Sequence, residues 1–107
     1  MSPARTQIAA SFDWQGIIIE VVYEPNWLGM ADRTGNLPSA HLDIRSIKPE
    51  RAPLPITETG YRSHFLHPDE IDELGGPVAY VEAWLNEMAR SSEWQESLEA
   101  SKQLSLF

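Results

Sequence analysis

A small single α+β domain, with a mostly antiparallel four-stranded sheet followed by C-terminal helices, is predicted by three observations. Up to Leu66 the apolar residues alternate with polar ones or form short β-branched runs, which is strand periodicity. Beyond Leu66 they recur at steps of three and four residues, which is helical periodicity. The chain has 107 residues, enough for one hydrophobic core and too few for two.

The elements follow in order. Phe12 and Trp14 alternate with polar residues, Gln15-Gly16 offers a turn with a residue that accepts positive φ, and Ile17 to Tyr23 is dense in β-branched side chains, so a hairpin is predicted. On its second strand Ile17, Ile19, Val21 and Tyr23 share the core face, while Glu20 and Glu24 point the other way, toward solvent. Pro25 ends that strand. Residues 25–38 hold Pro25, Gly29, Gly35 and Pro38, which reads as a long loop, with Trp27, Leu28 and Met30 tucking part of it onto the core. A third strand, Ala40 to Arg45, turns Ala40, Leu42 and Ile44 inward and His41, Asp43 and Arg45 outward. Pro49, Pro53 and Pro55 stiffen the next connection, because each fixes φ and removes a ladder donor. A fourth strand is expected from about Thr57 to Leu66.

Pro68 suits a first helical position, with Asp69 and Glu70 in the first turn where the helix dipole favours anions, and Gly75-Gly76 stops this short helix. Pro77 opens the next. Val78, Val81, Trp84, Leu85 and Met88 form its apolar stripe, and Glu82, Asn86, Glu87 and Arg90 face water. Ser92 with Gln95 reads as a capping box, leading to a further helix or a continuation of the same one, with Trp94 and Leu98 on one side. The expected division is a body over residues 1–102 and a peptide-docking tail over residues 103–107.

Composition excludes several function classes. Without cysteine there is no disulfide framework, cysteine-ligated zinc or thiol nucleophile, and cytoplasmic residence is the simplest expectation. The longest apolar runs, such as Ile17-Ile18-Ile19, fall far short of the ~20 residues of a membrane span, and no signal-peptide core follows Met1 to Arg5. The net charge is −8 and unevenly placed: residues 1–66 carry six basic and seven acidic side chains, residues 67–107 nine acidic ones against Arg90 and Lys102. Such a surface repels a phosphate backbone, which argues against direct nucleic-acid binding.

Candidate chemical groups are few. His64 and His67 lie three residues apart near Asp69 and Glu70, but no third ligand stands at a characteristic spacing, so they are read as a strand-end and a helix-entrance histidine. The run Asp69-Glu70, Asp72-Glu73 lacks the spacing of a calcium loop and reads as a solvated first turn. No metal or cofactor is expected. Trp14, His41, Arg62 and His64 are the residues with which a small enzyme or ligand-binding sheet would work, yet no nucleophile–base pattern supports enzyme chemistry. Gly60 to Phe65 departs from the aromatic strand of an RNA-recognition sheet at Thr59, Ser63 and His64.

Two resemblances add to this reading. The run Leu54 to Phe65, with Gly75-Gly76-Pro77-Val78 and Trp84-Leu85, resembles a family of small bacterial proteins often encoded on plasmids and other mobile elements. It covers most of residues 12–90 and implies a common fold without implying an activity or catalytic residues. The terminal Gln103-Leu104-Ser105-Leu106-Phe107 resembles, at every position, the pentapeptide with which polymerases and repair proteins dock on the bacterial β sliding clamp. A given pentapeptide fits that pattern by chance roughly once in 10⁵ to 10⁶ trials, so coincidence is the weaker explanation. The resemblance implies a non-enzymatic interaction protein that modulates or competes with replication and repair clients of the clamp. Two alternatives stand beside it: Leu104, Leu106 and Phe107 pack a helix end onto the body, or the acidic 67–107 region imitates nucleic-acid phosphates and occupies a DNA-binding protein.

Overall fold

The computed structural model describes residues 7–25 and 40–104. Strands β1 (Ile8–Trp14), β2 (Ile17–Glu24), β3 (Ala40–Lys48) and β4 (Tyr61–Leu66) form one antiparallel sheet in chain order, followed by helices α1 (Pro68–Glu73), α2 (Pro77–Met88) and α3 (Ser92–Leu104). The predicted α+β class is the observed one. The long loop expected over 25–38, with Trp27, Leu28 and Met30, lies outside the described residues apart from Pro25.

The β1–β2 hairpin closes through Gln15 and Gly16, both at positive φ, with the Gly16 N–H donating to the Asp13 carboxylate at 2.9 Å. β3 is three residues longer than expected. A register shift at Ile18/Ile19 sets Ile19 opposite Ser46 and Ile18 opposite Lys48, and buried Ser46 donates to the Ala52 carbonyl at 2.7 Å. The proline-bearing connection therefore folds back on β3 and inserts Leu54 and Ile56 into the core.

β4 begins at Tyr61 rather than near Thr57. Gly60, at φ +77°, packs so closely on Arg51 that a Cβ there would stand 2.6 Å from the Arg51 carbonyl carbon. The Gly60 carbonyl still accepts from the β3 Ser46 N–H at 2.8 Å, but the Thr57 hydroxyl turns back to donate to the Tyr61 carbonyl, so the chain folds away from the sheet before Gly60 and strand pairing starts at Tyr61.

The core lies between one face of the sheet and the helices. Ile19, Val21, Leu42 and Ile44 are fully buried beneath Ile71, Val81 and Leu85, the stripe residues of α1 and α2. His67 caps α1: its Nδ1 accepts from the Asp69 N–H, and Glu70 accepts from the His67 N–H. α2 ends at Met88, and α3 is a separate helix. Its cap is Ser91, whose hydroxyl accepts from the Trp94 N–H at 3.1 Å, and not the expected Ser92; Gln95 reaches back to the Ala89 carbonyl at 2.8 Å. The turn after α2 sets that choice between neighbouring serines.

One expectation for the opposite face fails. Glu24 and His41 alternate outward as predicted but are 2 % and 5 % exposed. They are register partners, flanked by Gln7, whose amide donates to the Glu24 carboxylate at 2.6 Å, and by Phe65, whose ring centre is 4.6 Å from that of His41. Further along this face Tyr61 donates to Asp43 at 2.6 Å and lies under the Arg45 guanidinium.

Candidate functional site

The four side chains nominated for a ligand or catalytic site are held in three separate places. Trp14 stands on edge strand β1, and its indole N–H donates to Asn86 of α2 at 2.9 Å. Arg62 and His64 are on β4, the opposite edge, three strand spacings or about 14 Å away. His41 is on the outer face, where its Nε2 shares a 2.6 Å hydrogen bond with the Ser63 hydroxyl.

Arg62 and His64 do form a local cluster. The His64 ring lies 4.6 Å from Trp84 and 6.4 Å from Tyr80, and the Arg62 guanidinium sits 5.3 Å over Trp84 while donating to the Ile56 carbonyl at 3.0 Å. Burial, and then the Arg62 charge, hold the His64 imidazole below its usual pKa; burial, and then Glu70, push the Tyr80 phenol up. This arrangement closes the core at the β4 edge through aromatic and cation–π contacts. Among the described residues no three ligating side chains converge: His64 faces Trp84, and His67 caps α1 with only the Asp69 carboxylate beside it, at 3.4 Å.

At the far end of the molecule α3 forms an arm. Trp94 is buried against Trp14, with ring centres 6.1 Å apart, and Leu98 packs half-buried on the core, whereas Glu99 and Ala100 are exposed. The helical backbone continues to Leu104, six residues or about 9 Å beyond Leu98. Of the predicted docking residues, Gln103 and Leu104 thus fall in the last helical turn, and Ser105, Leu106 and Phe107 lie outside the described residues.

Around the base of this arm are features that sequence reasoning missed. A hollow of about 390 Å³ is walled by Pro53, Leu54, Met88, Trp94 and Ser97, with Glu58 and Glu93 also on its wall. Behind Trp94 lies a second hollow, about 270 Å³, mainly apolar and lined by Trp14, Ile17, Pro49, Pro53 and Leu98. The Trp94 indole N–H is buried with no hydrogen-bond acceptor among the described residues. Met88, expected on the core stripe, is instead 41 % exposed, because α2 ends there and its side chain borders the first hollow. The only sequence signal was the pairing of Trp14 and Trp94 with a proline-rich connection, which periodicity does not interpret.

No helix among the described residues is long and apolar enough to cross a membrane. Residues 7–94 match the family described as KlcB third domain, so the match takes in the sheet, α1, α2 and the first turn of α3 and stops before the terminal pentapeptide. No curated protein and no solved structure matches the chain.

Proposed function

The chain belongs to the KlcB third-domain family, which is plasmid-associated, and from that premise we propose that it is a non-enzymatic interaction protein whose terminal Gln103-Leu104-Ser105-Leu106-Phe107 docks on the bacterial β sliding clamp. The supporting observation is one of position. The pentapeptide begins five residues after Leu98, which packs on the core, and stands outside the family match.

The energetics suit a regulated, exchanging contact. Leu104, Leu106 and Phe107 entering apolar pockets contribute a gross gain of roughly 5–8 kcal/mol at about 1.5–3 kcal/mol each. Ordering the tail takes back several kcal/mol, leaving a Kd of about micromolar or weaker. Gln103 adds rim hydrogen bonds through its amide. Docking in an extended form unwinds the final turn of α3, a small cost because helix ends lack half of their backbone partners.

A second reading has its own observation: the nine acidic side chains of residues 67–107 are all exposed, spread over α1, α2 and α3. Such a surface suits a phosphate mimic that occupies a DNA-binding protein. Titration of purified clamp with the full chain separates the two. Leu106→Ala and Phe107→Ala are each expected to weaken binding roughly thirtyfold, Gln103→Ala less, and Ser105→Ala hardly at all. Raising salt from about 50 to 300 mM is expected to change that affinity only a few-fold. Equal behaviour of all four variants, or no binding at about 100 μM, removes the clamp reading; a hundredfold loss with salt transfers it to the charge mimic.

A further inference from the structure

β1 is an edge strand, and the turn that follows it fixes which of its backbone groups are spare. A two-residue hairpin closes on a hydrogen-bonded pair, here Trp14 with Ile17, and such pairs alternate along the ladder. Ile8, Ala10, Phe12 and Trp14 therefore bond to β2, while the N–H and C=O groups of Ala9, Ser11 and Asp13 point away from it. All three of those residues are exposed. Free edges are usually blunted by a proline, a lysine, a bulge or a covering segment. β1 has none of the first three, and its pairing with β2 runs in unbroken register over all seven residues.

Charge indicates what can approach this edge. In a chain of net charge −8, two copies brought together on α1, α2 or α3 set carboxylates against carboxylates. Ile8 to Phe12 carry no charge, and Asp13, the one carboxylate of β1, already accepts from the Gly16 N–H. A second β1 laid antiparallel and centred on Ser11 places Ser11 opposite Ser11, Ala9 opposite Asp13, Ala10 opposite Phe12 and Ile8 opposite Trp14, so the two aspartates never face each other. Glu20, the β2 partner of Ser11, then stands three strand spacings from its counterpart, about 14 Å and beyond the Debye length at physiological salt. The same register satisfies the spare backbone: Ala9, Ser11 and Asp13 of each copy exchange N–H and C=O bonds with the other copy's same three residues. Ile8, 45 % exposed, gains an apolar neighbour.

We propose that β1 pairs antiparallel with β1 of a second copy of this chain about a two-fold axis at Ser11, joining the two four-stranded sheets into one continuous sheet. The contact is isologous, so each chain spends its single β1 edge on it and no third copy adds there. It makes no use of residues 103–107, and each dimer carries that pentapeptide twice.

Sedimentation equilibrium of the full chain is expected to show a dimer forming over about 10–500 μM. Ser11→Pro removes an outward N–H but no bond of the β1–β2 ladder. Ser11→Lys sets like charges face to face across the axis while standing opposite Glu20 within its own chain, so it decides the matter where proline disturbs the hairpin. Each variant is expected to raise the dimer dissociation constant at least about tenfold, with its circular dichroism unchanged. In a mixture of ¹³C-labelled and unlabelled chains, an interchain Hα–Hα contact is expected between Ala10 and Phe12, which face each other as a close, non-hydrogen-bonded pair. A chain still monomeric at about 1 mM overturns the proposal. So does a dimer that keeps its affinity in Ser11→Lys, or one that lacks the Ala10–Phe12 contact and is therefore built on another surface.

Discussion

Replacing Gly60 with alanine separates two costs that usually travel together. Gly60 and Gly16 both hold left-handed backbone, at φ +77° and +86°, but a Cβ on Gly16 meets nothing within 4 Å while one on Gly60 stands 2.6–2.8 Å from the Cα, carbonyl carbon and carbonyl oxygen of Arg51. Both substitutions incur the conformational penalty of a side chain in the left-handed region, about 1–2 kcal/mol. Gly60→Ala adds an overlap with main chain, which cannot swing aside as a side-chain tip does, worth a further ~1–3 kcal/mol. The main chain in question is held by the hydrogen bonds of Arg51 and Ala52 to β3, and it carries Leu54 and Ile56 into the core. At roughly 4–8 °C per kcal/mol for a chain of this size, Gly16→Ala is expected to lower Tm by about 4–16 °C and Gly60→Ala, at about 2–5 kcal/mol in all, by about 8–40 °C. Thermal unfolding followed by circular dichroism gives the comparison. If the two variants melt together, the Arg51 contact is not what fixes the start of β4, and the reasoning fails.

Three further outcomes are expected. The folded chain disfavours the charged form of His64, so the unfolded state takes up that proton first: stability is level above about pH 6.5, falls as pH drops below it, and falls less in His64→Phe; parallel pH profiles of the two proteins would refute this. A chain ending at Lys102 loses the last two residues of α3 and the three beyond, so its Tm is expected within about 5 °C of the full chain, and a larger drop in differential scanning calorimetry would favour a tail packed on the body. Trp14→Phe leaves its ring packing on Trp94 and removes the bond to Asn86, a loss of about 0.5–1.5 kcal/mol measurable by urea unfolding, and no loss would show that bond to be dispensable.

The hairpin and α2 were legible in the sequence because their signals are local. β-branched density with Gln15-Gly16 dictates the one, and Gly75-Gly76-Pro77 with the Val81–Leu85 stripe the other. What escaped was tertiary. Alternation assigns Glu24 and His41 to the outer face correctly, yet says nothing about Gln7 and Phe65 lying alongside them there. The start of β4 is decided by a glycine meeting Arg51 from the other end of the connection, a contact with no periodic trace. The cap of α3 passed to Ser91 because adjacent serines carry equal capping chemistry and the corner after α2 chooses between them. At the candidate site the pentapeptide is legible as a motif, whereas the hollow beside Trp94 exists only once α3, the α2 corner and the proline connection are brought together.

The strictly sequential order of the sheet, with the helices among the described residues all placed after it, has a consequence during synthesis. All four strands leave the ribosome before the residues that cover them, so Ile19, Val21, Leu42 and Ile44 wait for Val81 and Leu85, which come some forty residues behind Ile44 at a synthesis rate of about 5–20 residues per second. For those few seconds the nascent meander presents an uncovered apolar face, a substrate for holdase chaperones. Stop codons or frameshifts between Leu66 and Val81 would leave that face permanently bare, so truncated products of this gene are expected to aggregate rather than persist as soluble fragments.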